Sequence, residues 1–248
     1  MFSLEIKKYL QQKNYKTFLP KAVFFDMDGV LFDSMKNHSS SWVKALHQMG
    51  LPFSEHEAYM NEGRTGASTI DGVFIQTHNR KATENEKETI YKLKSKFFEA
   101  CPKSVKMPYA IDLLKKVQSQ LLEIYIVTGS GQATLLDSLE SNFPGIFQKE
   151  KMITAFNVKQ GKPHPEPYLT ALEKSGLQPW EVVVIENAPL GVESATLAGL
   201  FTIAINTGPL NPKVLSDSGA SIVFNGMKDL FDNWNNFTKT WSTAQNMF

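Results

Sequence analysis

The sequence predicts an α/β fold, in which a doubly wound, Rossmann-like parallel sheet carries a small all-helical cap domain inserted after the first strand. Two observations lead to this prediction. From about residue 105 onward, short apolar runs alternate with helical patterns, which is typical of a parallel sheet covered by helices on both faces. Residues 37–105, in contrast, are helical in pattern throughout and contain no comparable strand candidate.

The core has five strand candidates, which are the apolar runs 22–25, 122–127, 182–185, 201–205 and 221–224. Helical stripes accompany the later strands, at 110–118, 135–139, 168–172 and 189–198. The last stripe begins at Pro189 and stops at Gly199, and both residues are typical helix boundary signals. This order predicts strands joined by crossover helices.

The insert contains two helix-start signals. Ser54 with Glu57, and Thr83 with Glu86, have the spacing of a capping box. Residues 4–10 have the pattern of a further short helix near the N-terminus. The predicted division of the chain is an N-terminal extension 1–20, an α/β core 21–36 and 106–232, a helical cap 37–105, and a C-terminal tail 233–248.

The composition is that of an ordinary globular protein. The chain has 248 residues, 42% of them hydrophobic, which is enough for a substantial core. Lys and Arg number 26 against 25 Asp and Glu, so nothing favours a nucleic-acid partner. The single cysteine, Cys101, excludes an intrachain disulfide and fits a reducing compartment. With no apolar run of about 20 residues and no secretory signal pattern, we expect a cytoplasmic, monomeric enzyme without a membrane partner.

Polar side chains follow the predicted strands. Asp26 and Asp28 come directly after the first strand and precede Gly29. One carboxylate can attack phosphorus if a cation offsets the repulsion, and the other can protonate the leaving oxygen. Ligands of open parallel sheets bind beyond the carboxyl ends of the strands, so these residues are the ones to examine.

Three further elements lie near later strand ends. Thr128 and Ser130 offer hydroxyl and backbone donors to a phosphate before a helix. Lys162 lies in a loop before another helix and can meet phosphate oxygens or Asp26. Glu186 and Asn187 carry oxygen ligands of the kind that Mg²⁺ prefers.

Each element also has a plain structural interpretation. The Thr128 segment could be only a strand-to-helix turn, Lys162 a solvated loop lysine, and Glu186 and Asn187 caps of the helix that begins near Pro189. The joint occurrence of four such elements, in order, at four strand ends favours the functional interpretation.

These elements resemble the four motifs of the haloacid dehalogenase superfamily, here Asp26-Met27-Asp28-Gly29, Thr128, Lys162 and Glu186-Asn187. The resemblance covers nearly the whole chain after residue 20. It implies Asp26 as a nucleophile that forms an aspartyl phosphate, Asp28 as general acid and base, and Thr128 and Lys162 as phosphate anchors. It also implies Mg²⁺ held by Asp26, the backbone carbonyl of Asp28 and the fourth motif.

The insert resembles the cap of the β-phosphoglucomutase-like branch, and residues 62–68 are similar to its substrate-specificity loop. One departure is Asn187, because the second position of the fourth motif is usually an acid. A neutral amide there removes a negative charge from the metal site. We therefore expect Glu62 from the cap to supply that charge, directly or through water, although a surface or helix-capping role for Glu62 is the alternative.

The second departure concerns the substrate. β-Phosphoglucomutases have a lysine and an asparagine soon after the second motif, where this chain has Gly131 and Gln132. Inorganic pyrophosphate needs no sugar pocket, and its second phosphate could be held by Arg64, His38 and Lys94. In residues 62–66 and 186–191 the chain resembles the inorganic pyrophosphatases of this branch. His38 and Lys94 could instead be ordinary helix-surface residues.

The sequence therefore predicts a Mg²⁺-dependent phosphohydrolase, with inorganic pyrophosphate as substrate. The alternative is a β-phosphoglucomutase or a sugar-phosphate phosphatase, whose cap accommodates a hexose. Two other possibilities are a catalytically idle binding protein that has lost the metal through Asn187, and a metal-independent dehalogenase of small acids. The survival of all the core motif residues disfavours the former, and the pairing of Asp28 with Glu186 disfavours the latter.

Overall fold

Six parallel strands form the main sheet of the computed structural model, which describes residues 2–131 and 135–244. The strands of the protein are β1 (Ala22–Phe25), β2 (Phe32–Asp33), β3 (Val105–Lys106), β4 (Glu123–Val127), β5 (Met152–Ile153), β6 (Val182–Glu186), β7 (Phe201–Ile205) and β8 (Ile222–Phe224). The helices are α1 (Ser3–Lys13), α2 (Met35–Gln48), α3 (Glu55–Met60), α4 (Gly66–His78), α5 (Glu84–Glu99), α6 (Ala110–Ser119), α7 (Leu135–Asn142), α8 (Glu166–Ser175), α9 (Pro189–Leu197), α10 (Pro212–Asp217) and α11 (Met227–Ala244).

The strand order in the sheet is β5-β4-β1-β6-β7-β8. Strand β1 is central and pairs in parallel with β4 on one side and β6 on the other. Every residue of β1 and β6 is buried, because helices cover both faces of the sheet. The doubly wound fold and all five strand candidates are confirmed. The two-residue strand β5 was not predicted from the sequence, since a pair of apolar residues carries no periodicity.

The predicted helical cap is present as α2–α5, which enclose their own apolar core around Leu46, Phe53 and Ile70. Both predicted capping boxes are confirmed, at the starts of α3 and α5. Helix α2 begins at Met35, two residues before the predicted boundary of the cap. The two chain crossings between core and cap, β2 and β3, pair with each other as an antiparallel ribbon.

Both chain ends pack against the core. Helix α1 confirms the predicted short helix, and its Tyr9 hydroxyl donates to the Gly199 carbonyl at 2.9 Å. The predicted polar tail from residue 233 is wrong, because α11 continues to Ala244 and buries Trp234 and Phe237 completely. Apolar residues at helical spacing give this segment a buried helical face, whereas the asparagines between them had suggested a frayed end.

Across the described part of the chain, none of the helices combines the length and the hydropathy needed to cross a membrane.

Candidate active site

The carboxyl ends of β1 and β6 bring two carboxylates onto one lysine. The Lys162 ammonium donates to Asp26 Oδ1 at 2.5 Å, to Glu186 Oε1 at 2.6 Å and to the Val127 carbonyl at 2.9 Å. All three groups are buried, with Lys162 1% exposed and Glu186 0% exposed. An ammonium has three N–H donors, so each one is used. The structure thus joins three of the predicted site residues, which lie up to 160 residues apart.

Burial sets the ionisation of this cluster. Burial, reinforced by the Glu186 carboxylate and opposed by Lys162, raises the pKa of Asp26. Burial disfavours the charge of Lys162 too, but Asp26 and Glu186 outweigh it and raise the pKa of the ammonium. One buried cation therefore faces more negative charge than it can neutralise, and a further cation beside Asp26 would keep that carboxylate ionised at neutral pH.

Glu186 is engaged on both carboxylate oxygens. Besides Lys162, the Tyr168 hydroxyl donates to Oε1 at 2.7 Å, and the backbone N–H groups of Asn187 and Ala188 donate to Oε2 at 3.1 and 3.4 Å. Donors thus engage both oxygens of Glu186 and tie it to Lys162, and its predicted role as a metal ligand stays a prediction. Tyr168 was missed because its spacing matches an ordinary helix stripe.

Asp28 is held from the cap side. Ser34 Oγ donates to Asp28 Oδ1 at 2.6 Å, and His38 Nε2 lies 3.2 Å from the same oxygen. Lys94 Nζ lies 3.0 Å from His38 Nδ1, so Lys94 donates to His38 and His38 donates to Asp28. Burial opposes the charge of Asp28, but His38, Ser34 and Lys94 together lower its pKa to about 2. Two predicted cap residues therefore reach the site; Ser34 was not predicted.

The loop before α4 inserts Glu62 into the core site. Glu62 Oε1 accepts a hydrogen bond from Asn187 Nδ2 at 3.0 Å. Burial, together with the carboxylates of Asp26, Glu186 and Asp28, raises the pKa of Glu62 well above its usual range. Glu62 therefore contacts the fourth motif, as expected. Its surroundings favour the protonated, neutral form of its carboxyl group.

These groups fit a hard divalent cation. Asn187 Oδ1 is buried and has no hydrogen-bond partner, although an amide oxygen normally accepts when it is buried. The donor set of Asp26, Glu62, Asn187 Oδ1 and the Asp28 carbonyl consists of oxygen alone, as Mg²⁺ prefers. No cluster of three or more His, Cys, Asp or Glu side chains suited to a metal occurs in residues 2–131 and 135–244. A cation here would consequently need amide and carbonyl oxygens in addition to the carboxylates of Asp26 and Glu62.

The remaining predicted residues line one cavity of about 90 Å³ with Asp26 and Asp28. Thr128 and Ser130 form its core wall, and the Thr128 hydroxyl accepts from the Ser130 backbone N–H. Arg64 lies on the cap wall, where its Nη1 donates to Ser68 Oγ at 3.2 Å and its Nε is buried without a partner. Gly131 lies beside Phe156, whereas Gln132 falls outside the described residues.

The cap loop packs directly on the core loops. A Cβ at Gly129 would lie 2.8 Å from the Gly63 carbonyl oxygen, and a Cβ at Gly161 would lie 2.7 Å from Thr65 Cγ2. Only glycine at these positions lets the two loops approach so closely. The close approach explains how Glu62 and Arg64 reach a site that belongs to the sheet.

Comparison with known proteins gives a consistent family. The profile of the family described as "Haloacid dehalogenase-like hydrolase" matches residues 23–205. The chain is 30% identical over 207 residues to "Phosphorylated carbohydrates phosphatase" from Thermotoga maritima, covering 81% of this chain and 92% of the relative. It is also 30% identical over 205 residues to "Hexitol phosphatase A" from Escherichia coli, covering 78% and 87%.

A solved structure gives a stronger likeness. "Putative beta-phosphoglucomutase" from Bacteroides vulgatus superposes with a TM-score of 0.94 at 51% identity, covering 97% of this chain and 98% of the other. The predicted resemblance to the β-phosphoglucomutase-like branch is confirmed, while none of these names supports closeness to pyrophosphatases. On its sequence, its fold and the carboxylates gathered at the end of its central strand, the chain belongs to the haloacid dehalogenase-like hydrolase family.

Proposed function

We propose that the protein is a Mg²⁺-dependent phosphohydrolase that uses Asp26 as its nucleophile, and that its substrate is inorganic pyrophosphate. The observation that carries the phosphohydrolase assignment is the contact between Asp26 and Lys162. Asp28 follows Asp26 by two residues in the sequence, and the cap residue His38 holds its carboxylate in place. A carboxylate nucleophile, a neighbouring cation and a second carboxylate are the groups that covalent phosphoryl transfer requires.

Bound Mg²⁺ would supply positive charge that offsets the repulsion between the carboxylate and the phosphoryl group. Lys162 orients Asp26 through Oδ1 and adds charge of its own. In-line attack forms the Asp26–phosphorus bond and breaks the bond to the leaving group. Asp28 then takes a proton from water, which attacks the aspartyl phosphate, releases inorganic phosphate and restores Asp26.

The acidity of Asp28 supports a weakly basic leaving group. A general acid works best when its pKa lies near the operating pH, and the cap contacts lower the pKa of Asp28 to about 2. A sugar alkoxide is strongly basic and needs a proton as it leaves. Phosphate is a much weaker base, so pyrophosphate demands less of Asp28 than a sugar phosphate does.

The cavity also favours a small, highly charged substrate. Its volume of about 90 Å³ is well below the roughly 300–1,000 Å³ of common small-molecule pockets. Arg64 and Lys94 bring two cationic groups to the wall of this cavity. A second phosphoryl group would satisfy these cations, whereas a neutral sugar ring would leave them without an anion.

A phosphorylated carbohydrate is the second candidate, and the named relatives favour it. Their names specify phosphorylated carbohydrates and hexitol phosphates, and "Beta-phosphoglucomutase" from Bacillus subtilis is 26% identical over 199 residues. The missing lysine and asparagine of the mutases, at Gly131 and Gln132, disfavour a mutase in particular. A monomeric state and a cytoplasmic location remain predictions.

The test is phosphate release from pyrophosphate and a panel of hexose and hexitol phosphates, in Mg²⁺ and in EDTA. We expect pyrophosphate to have the highest kcat/KM, and EDTA to abolish turnover. Asp26→Asn should be inactive and should lack the phosphorylated Asp26 that borohydride reduction and mass spectrometry detect in the wild type. A preference for a hexitol phosphate would replace the substrate assignment, whereas an active Asp26→Asn variant would refute the nucleophile.

A further inference from the structure

A buried hydroxyl in the cap has no hydrogen-bond partner. Ser39 lies on α2 next to His38 and is 2% exposed, and its Oγ bonds to nothing in the described part of the chain. Ser41, on the same helix and fully buried, donates to the Asn37 carbonyl at 2.6 Å. That bond to the carbonyl four residues earlier is the usual solution for a serine inside a helix. The unpaired state of Ser39 is therefore specific to its position.

Ser39 lines the cavity that contains Asp26 and Asp28. Lys94 lines the same cavity, is 5% exposed, and has its ammonium 4.8 Å from the centre of the Phe98 ring. Among residues 2–131 and 135–244, no carboxylate lies within ion-pair distance of this ammonium, which donates to His38. A buried cation that has no carboxylate in ion-pair contact recovers only part of its desolvation cost.

Arg64 adds a further donor, since its Nε is buried and has no hydrogen-bond partner. Ser39, Lys94 and Arg64 thus line one small cavity, and two of them hold a buried donor atom that has no partner. Donors of this kind require an acceptor with several oxygens and a negative charge. A compact tetrahedral oxyanion meets this requirement, whereas a sugar hydroxyl supplies no charge.

We propose that Ser39 is a specificity-determining residue, whose hydroxyl donates, together with Lys94 and Arg64, to the phosphate beyond the scissile bond. This inference rests on the proposed function, because it assumes that phosphoryl transfer takes place at Asp26. It adds a selection rule: the site takes substrates whose leaving group is itself a phosphate, and Ser39 distinguishes that phosphate from an alcohol.

The test is the affinity for two non-hydrolysable probes, measured by titration calorimetry in saturating Mg²⁺. Methylphosphonate has one phosphoryl group and reaches only the Asp26 end, while methylenediphosphonate has two. Ser39→Ala should weaken binding of methylenediphosphonate about tenfold, the effect of one lost hydrogen bond to a charged group. It should leave the affinity for methylphosphonate unchanged.

Ser41→Ala is the matched control, because it removes a buried hydroxyl from the same helix without touching the cavity. It should lower Tm and leave both affinities unchanged. Ser39→Ala should not lower Tm without ligand, because it removes a polar group that is unpaired in the free protein. A loss of Tm in Ser39→Ala without a loss of affinity would assign Ser39 a purely structural role and overturn the proposal.

Failure of the inference and failure of the proposed function give different results. If wild type hydrolyses pyrophosphate but Ser39→Ala binds methylenediphosphonate equally well, the role of Ser39 is refuted and the proposed function stands. If wild type binds methylenediphosphonate no better than methylphosphonate, the second phosphate has no site, and both are overturned. An equal loss of affinity in Ser41→Ala would indicate loosening of α2 and would also refute the role of Ser39.

Discussion

Replacement of Glu62 by glutamine tests whether the cap contributes to cation binding. Glu62 accepts a hydrogen bond from Asn187 Nδ2 at 3.0 Å, and a glutamine oxygen can accept the same bond. Glu62→Gln therefore removes a charge while keeping the shape and the contact. Because Asn187 is neutral, loss of the Glu62 carboxylate should markedly lower the affinity of the proposed site for Mg²⁺.

The expected loss of Mg²⁺ affinity is about 10–100-fold, as for other residues that support a metal site. This corresponds to about 1.4–2.7 kcal/mol. Ligand binding stabilises the folded state in proportion to the logarithm of the ratio of ligand concentration to Kd. The Tm gain produced by a fixed concentration of Mg²⁺ should thus be smaller by about 3–10 °C in the variant.

Two measurements check this expectation: Mg²⁺ titration of Tm and Mg²⁺ titration of phosphate release. The double variant Glu62→Gln with Asn187→Asp restores the number of carboxylates and should recover much of the affinity. A half-saturating Mg²⁺ concentration within twofold of wild type, in both assays, would show that Glu62 does not contribute to cation binding. Loss of affinity in the double variant beyond that in Glu62→Gln would contradict the charge argument.

Further predictions concern pH, the core site and stability. Because the pKa of Glu62 is raised in the folded state, its contribution to stability is present below about pH 4.5 and is lost as pH rises. In EDTA, thermal melts should therefore show wild type losing stability relative to Glu62→Gln as pH rises above about 4.5. Tyr168→Phe removes a hydrogen bond to the buried Glu186 carboxylate, so it should lower the free energy of unfolding, measured in denaturant, by about 1.5–3 kcal/mol and should also lower kcat. The control is Tyr125→Phe, because the Tyr125 hydroxyl donates to the half-exposed Glu123; this change should cost less and leave kcat unchanged. Equal effects of the two variants would contradict an anchoring role for Tyr168. Trp234→Ala should lower the free energy of unfolding by about 3–5 kcal/mol in the same measurement. A loss under about 1 kcal/mol would mean that the packing of α11 does not stabilise the core.

The sequence was most informative where strands end. Asp26, Lys162 and Glu186 could be predicted to converge because parallel strands bring their carboxyl ends to the same edge of the sheet. That argument needs only strand order, which the alternation of apolar runs supplies. It says nothing of which carboxylate contacts the lysine and which would contact a metal, so the ligand role of Glu186 stays a prediction.

Side chains that reach the site from helices could not be predicted. Tyr168 has the spacing of a core residue, and only the packing of α8 turns its hydroxyl toward Glu186. Ser34 and Ser39 carry no sequence signal, since an unpaired or bridging hydroxyl depends on distances between cap and core. His38 and Lys94 were named as groups that could hold a second phosphate, and their relay to Asp28 became visible only in the structure.

The ribbon formed by β2 and β3 contains both connections between the core and the cap. Because these two strands pair with each other, we expect any opening of the cap to occur by bending at this ribbon. Glu62 and Arg64 lie two residues apart on one loop and must move together. Opening of the cap would carry Glu62 away from Asn187, so under the proposed function the entry of substrate and the contribution of Glu62 to cation binding would be coupled.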